Sequence, residues 1–143
     1  MKDENIKLLY SHYDPETGVS IVRIQTSEGM FKGKARVHPD DQDVASSYTG
    51  CRYAELRAYI KFCKHKARLL QHSIKELTKV YNQISQNKEM PKRASRYCLN
   101  EINILKEEKN EWLTIAKDIK EEINISITER DKILSKIKKA KTN

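Results

Sequence analysis

The chain has 143 residues, and its 28 Lys and Arg outnumber 20 Asp and Glu for a net charge of +8, with only 7% aromatics and four glycines. Such a length fits one domain, and the charged, glycine-poor composition points to long, surface-rich helices rather than to a compact, loop-rich enzyme. No run approaches the ~20 apolar residues that cross a bilayer, and the polar start MKDENIK lacks the apolar stretch of a signal peptide, so a cytoplasmic protein without membrane contact is expected.

The first elements read as strands. Residues 5–13 (NIKLLYSHY) are rich in strand formers, and Pro15-Glu16-Thr17-Gly18 has the residues of a tight turn. Val19 to Thr26 alternates apolar and polar residues with one interruption, as a half-buried strand does. After Ser27-Glu28-Gly29, the stretch from Met30 to Val37 sets Lys32, Lys34 and Arg36 on one face and Phe31, Ala35 and Val37 on the other. Short connections make this an antiparallel meander over 1–38, which needs a helix or another chain across its apolar face. A connector over 39–50 follows. Asp40, Asp41 and Asp43 suit the start of a short helix or capped turn over 40–48, and Thr49-Gly50 offers a break before the main helix.

Two long helices complete the pattern. Leu56, Ile60, Cys63, Ala67, Leu70, Ile74, Leu77, Tyr81 and Ile84 are spaced alternately four and three apart, an unbroken heptad seam in a first helix over 51–85. The polar stretch 86–93 contains Pro91 and reads as the reversal. A second helix over 94–141 carries Cys98, Ile102, Leu105, Trp112, Ala116, Ile119, Ile123, Ile133 and Ile137, interrupted by Lys109, Ser126 and Arg130. Such helices pair antiparallel. The expected fold class is therefore α+β: a three-stranded meander followed by a two-helix coiled-coil hairpin, in a single domain of 1–143. Ile104, Ile115, Ile125, Ile127 and Leu134 fall off the seam, and surplus apolar surface of this kind calls for a homo-oligomer.

Motifs of catalysis are missing from the sequence. There is no phosphate-binding P-loop, no dinucleotide-binding glycine pattern and no HExxH. Cys63 and His65 are two apart on one helix and point in different directions. His65 and His72 share a helix face without a third metal ligand. Asp40-Asp41 has a sufficient role at a helix start. The three cysteines, Cys51, Cys63 and Cys98, lack metal-site spacing and read as reduced thiols. A non-enzyme without metal or cofactor is expected.

Charge is distributed unevenly. Residues 1–45 have six Lys/Arg against eight Asp/Glu, residues 52–96 have twelve against three, and residues 97–143 have ten against nine. The basic first helix and turn favour an anionic partner, either nucleic acid or a phosphorylated small molecule. Two clusters supply donors for it. Arg36 and His38 end the third strand where Arg52 and Arg57 open the long helix. Arg93 and Arg96, beside Tyr97, fall at the other end of the hairpin with Tyr81, Asn82 and Asn87. Arginine grips phosphate with two donors, and aromatic faces stack on bases.

The segments GKARVHPDDQD at 33–43 and TGCRYAELRAYIK at 49–61, preceded by KLLYSHYD at 7–14, resemble the phage anti-Thoeris sponge proteins, the first family described of that kind. The matching pieces read GxAxxHPDD and GCRxAExRAxIK, and the resemblance spans most of the chain. It implies an oligomer, from dimer to hexamer, acting in the cytoplasm of the infected bacterial host. The resemblance also implies sequestration, without cleavage, of the cyclic ADP-ribose isomer (gcADPR) made by a TIR-domain defence protein. Some family members also hold cyclic di- or trinucleotides of CBASS defence at separate sites. Family pockets stack adenine on an aromatic residue near the end of the first long helix, which Tyr81 matches. They also use an Asn in the connecting segment, where this chain differs and offers Asn87 with Arg93 and Arg96. No stable nucleic-acid complex is expected on this reading. A different function also fits the charge: a basic coiled-coil inhibitor of a nucleic-acid-targeting defence complex, of anti-CRISPR or anti-restriction type.

Overall fold

A computed structural model describes residues 5–36 and 47–142. It contains β1 (Lys7–Asp14), β2 (Val19–Thr26), β3 (Gly29–Arg36), α1 (Ser47–Gln86) and α2 (Lys92–Thr142), with both strand pairs antiparallel and the sheet order β1-β2-β3. The fold is α+β, a three-stranded meander followed by two long helices, as the alternation and the 3/4 spacing predict. Of the capped turn or helix expected over 40–48, residues 40–46 lie outside the described residues, and 47 and 48 belong to α1.

The chain forms two compact units, Met1–Phe62 with Ala116–Asn143, and Cys63–Ile115. In the first, one sheet face is buried: Ser20, Val22, Ile24 and Thr26 of β2 stand in register with Ala35, Gly33, Phe31 and Gly29 of β3. The first turns of α1 cover that face with Ala54, Ala58 and Phe62. The backbone approach is very close, because a Cβ added at Gly33 would overlap the Ala54 carbonyl oxygen and come within 2.5 Å of the Ala58 nitrogen. The Phe31 and Phe62 rings then meet edge to face at 5.6 Å between centroids, a favoured aromatic geometry.

That contact corrects the expected break at Thr49-Gly50. Both residues lie inside α1. Gly50 is there because the helix touches β2: a Cβ would strike the Ser20 hydroxyl. In a helix, glycine costs about 1 kcal/mol relative to alanine, and here the missing Cβ lets α1 lie against the sheet.

In the second unit the expected seam is inside. Cys63, Ala67 and Ile74 of α1 and Cys98, Ile102 and Trp112 of α2 are buried. Two contacts fix the antiparallel register: Lys109 Nζ donates to Gln71 Oε1 at 2.7 Å, and Lys66 Nζ sits 5.8 Å from the Trp112 ring centroid. Residues 87–91 reverse the chain, with the Asn87 N–H donating to the Ile84 carbonyl and the Ala94 N–H to the Pro91 carbonyl.

Within the first unit the far end of α2 departs from the expected seam. Ile133 and Ile137 are exposed at 57% and 38%, whereas Leu134, expected off the seam, is buried at 8%. A straight α-helix drifts ~20° per heptad from a 3.5-residue repeat, or about 100° over the five heptads from Cys98, which is one residue of rotation. The inward face has moved on to Ile123, Ile127, Arg130 and Leu134, a buried or half-buried set.

Candidate functional site

At the hairpin end of the second unit, Tyr81 is half-buried in the last turns of α1 and its carbonyl accepts the Ser85 hydroxyl at 2.8 Å. Asn82 next to it is exposed. Asn87 builds the turn: its side-chain oxygen accepts the Glu89 N–H at 3.0 Å, and its carbonyl accepts the Met90 N–H at 3.2 Å. Arg93 and Arg96 are exposed in the opening turns of α2, beside Tyr97 at 66% exposure. The first turn of α2 holds no acid. Lys92, Arg93 and Arg96 therefore crowd the positive end of the helix dipole, which is unfavourable for cations and favourable for an anion brought to them.

The basic residues expected in the first unit have different surroundings. Arg36 is exposed at the end of β3, and Arg52 is an exposed residue whose Nη1 lies 3.5 Å from Glu55. Arg57 does reach the sheet, where its Nη1 donates to the Lys34 carbonyl at 2.9 Å. This bond clamps α1 to the edge strand, giving Arg57 a structural task. His38 lies outside the described residues.

Each unit has an open cleft. Lys64, Arg68 and Lys109 ring one of about 330 Å³ over Ala67, Gln71 and Leu113. The other, of about 340 Å³, lies between Tyr53 and the α2 residues Arg130, Ile133, Leu134 and Ile137. Either has the volume of a small-ligand site, but neither closes over its contents.

Burial pushes the Cys63 thiol up to about 11, which makes it unreactive at neutral pH, and Cys51, Cys63 and Cys98 are all unpaired. Among the described residues no group of three or more His, Cys, Asp or Glu side chains is placed to hold a metal ion. No described helix is long and apolar enough to cross a membrane.

The sheet also carries an aromatic and cationic cluster that has no signal in the sequence. Tyr10 of β1 lies on the solvent face of the sheet, with the Arg23 guanidinium carbon 5.7 Å from its ring centroid and the His12 ring stacked at 6.1 Å. The cause is a register shift between Leu8, which pairs with Ile24, and Tyr10, which pairs with Arg23. The extra residue, Leu9, turns Tyr10 away from the core side. The run Leu8-Leu9-Tyr10 is apolar throughout, so alternation carries no mark of the slip.

No protein-family model, curated protein or solved structure matches the chain.

Proposed function

We propose that the protein is a non-catalytic nucleotide sponge, which as a homo-oligomer captures a cyclic ADP-ribose isomer, the signal of TIR-based Thoeris defence, and holds it uncleaved. The observation that carries this reading is the hairpin end. Three cations stand on the positive end of a helix with no acid in its first turn, with the exposed Tyr97 beside Arg96 and the half-buried Tyr81 in the last turns of α1. A cyclic dinucleotide-like ligand needs such anion donors and an aromatic platform. The motif residues behind the family resemblance do a different job, since Gly33, Gly50, Ala54 and Ala58 make the contact between sheet and helix. They support a shared scaffold, and the hairpin end supports the ligand.

Oligomerisation belongs to the proposal for an energetic reason. A sponge must bind at nanomolar level or better, roughly −12 kcal/mol, and a small ligand reaches that only when largely enclosed. An open cleft on one chain does not enclose it, whereas a second protomer supplies the missing wall. Apolar side chains for that contact stand on the surface: Ile104, Ile125 and Ile133 are 54%, 59% and 57% exposed.

Isothermal titration with cyclic ADP-ribose isomers and cyclic di- and trinucleotides is the test, followed by heat denaturation and mass spectrometry of the released ligand. Tight binding with intact release is expected. Turnover of the nucleotide overturns the sponge reading. Absence of heat with every nucleotide also overturns it, in favour of the basic inhibitor of a nucleic-acid-targeting complex. Tyr81→Ala should keep normal helicity and lose on the order of tenfold in affinity, the size of one base–aromatic stack. Unchanged affinity would remove Tyr81 from the site.

A further inference from the structure

The solvent face of the sheet is a basic, aromatic surface that the charge count along the chain conceals. The segment 1–45 is net acidic, yet strand alternation sorts its charges by face. The strands place five cations outward, namely Lys7 of β1, Arg23 of β2, and Lys32, Lys34 and Arg36 of β3. The strands contain one acid, Asp14, at the very end of β1. Its carboxylate is engaged in the turn, where the backbone N–H of Glu16 and the Thr17 side chain hold it below the usual carboxylate range.

Register turns these charges into an ordered array. Tyr10 pairs with Arg23 and Arg23 with Lys32, so an aromatic ring, a guanidinium and an ammonium form one row across the three strands. The next rows along β3 are led by Lys34 and Arg36, at steps of about 6.7 Å for alternate residues of a strand. Like charges directly opposite in a ladder are destabilising, and Arg23 opposite Lys32 is such a pair. The fold tolerates this repulsion on a face where none of the partners of Lys32, Lys34 and Arg36 is acidic. An anionic polymer laid across the strands would relieve it.

We infer that this face binds single-stranded nucleic acid, with a base stacked on Tyr10 and successive phosphates on Arg23, Lys32, Lys34 and Arg36. The aromatic decides between polyanions. An acidic peptide needs only the cations, whereas a planar ring flanked by Arg23 and His12 is a stacking platform for a base. The bulge at Leu9 puts that ring on the cationic face, and bulges commonly re-aim side chains for function. This site goes beyond the nucleotide-sponge reading, uses none of the hairpin-end residues, and departs from the expectation that no stable nucleic-acid complex forms.

Fluorescence anisotropy with a labelled pyrimidine 12-mer, as RNA and as DNA, tests the inference across a salt series on the full chain. With three to five phosphates engaged, the slope of log affinity against log salt should be about −2 to −3.5. Lys32→Gln with Lys34→Gln should weaken binding on the order of tenfold and flatten the slope by about 1.4. Tyr10→Ala should also cost on the order of tenfold but leave the slope in place, because stacking releases no counterion. Lys106→Gln with Lys117→Gln, two exposed positions of α2, removes the same charge elsewhere and should change nothing. Photo-crosslinking of the wild-type complex should mark the peptide containing Tyr10.

No binding at low salt overturns the inference. So does an equal loss in the α2 control, which would reduce the effect to net charge. A silent Tyr10→Ala with duplex DNA bound as tightly would leave electrostatics without stacking, and displacement by polyglutamate as effective as by unlabelled oligonucleotide would make the partner an acidic protein. Crosslinks confined to the helices would refute the assigned face without recourse to any variant.

Discussion

The same two helices serve both compact units, and the contacts that hold each unit differ in kind. In the first, α1 meets the sheet through glycine and alanine, backbone against backbone at Gly33, with Phe62 filling the space beside Phe31. In the second, Cys63, Ala67, Ile74, Cys98, Ile102 and Trp112 share the load along two helices. One arrangement depends on the absence of atoms at particular points, the other on the presence of many interchangeable ones. Substitution costs should follow that difference: a single added methyl is severe at the sheet, while removal of several carbons from the hairpin is milder.

The largest effect expected is that of Gly33→Ala. The new Cβ meets the Ala54 carbonyl and the Ala58 nitrogen, which cannot rotate away, so the strand and helix must separate along their contact. A loss of about 3 kcal/mol or more is expected, at the upper end for overpacking. Urea denaturation measures it, and a loss below about 1 kcal/mol would mean that sheet and helix adjust as freely as two helices do.

Ile102→Ala comes next and probes the hairpin. Ile102 is 3% exposed, and removing a buried isoleucine costs about 2–5 kcal/mol according to how far the neighbours close the cavity. Two helices in side-by-side contact can close, so a value near about 2 kcal/mol is expected. A cost above that of Gly33→Ala would invert the comparison. Hydrogen exchange resolves whether the amides that lose protection are those of 63–115.

The seam at Cys63 allows a third and smaller test by pH. Its thiol titrates at about 11 in the folded protein against 9.0 in the exposed state, because burial disfavours the thiolate. Below pH ~9 both states keep the proton and stability is unaffected. Above it the unfolded chain loses a proton that the folded one retains, so stability falls as pH rises toward the folded value, by on the order of 2 kcal/mol. Lysines titrate in the same range, so the informative quantity is the difference between the wild-type curve and that of Cys63→Ala. Parallel curves from pH 9 to 11 would show that Cys63 is hydrated in solution.

Much of the fold was legible in the sequence, and the failures share a physical cause. Period-two alternation marked β2 and β3, and the 3/4 spacing marked both helices to within a few residues. Gly50 misled because a helical glycine and a helix-breaking one look alike until the neighbour, Ser20, is known. Leu134 displaced Ile133 because rotation accumulates along a long helix, and a rigid 3/4 count does not follow it. The contacts of individual side chains were not legible. Arg57 lay in the expected place, with a backbone carbonyl as its partner, whereas Tyr10 and Arg23 went unread because a single bulge brought them together.

The smallest effect sharpens the comparison most, because it repeats the glycine substitution of the first at a second contact with the sheet. A Cβ at Gly50 strikes the Ser20 hydroxyl and lies 3.3 Å from Ser20 Cβ. A hydroxyl can rotate where a backbone cannot. The crowding therefore opposes a helix-propensity gain of about 1 kcal/mol from glycine to alanine, and Gly50→Ala alone should change stability by less than about 1 kcal/mol. Ser20 Oγ is buried without a hydrogen-bond partner among the described residues, so its removal forfeits no such bond. In a Ser20→Ala background, Gly50→Ala should become stabilising by up to about 1 kcal/mol. A double-mutant cycle in urea reads the coupling directly. Additive effects would show that the hydroxyl is not what opposes the Cβ, and that the backbone spacing which makes Gly33 obligatory extends along α1 to Gly50.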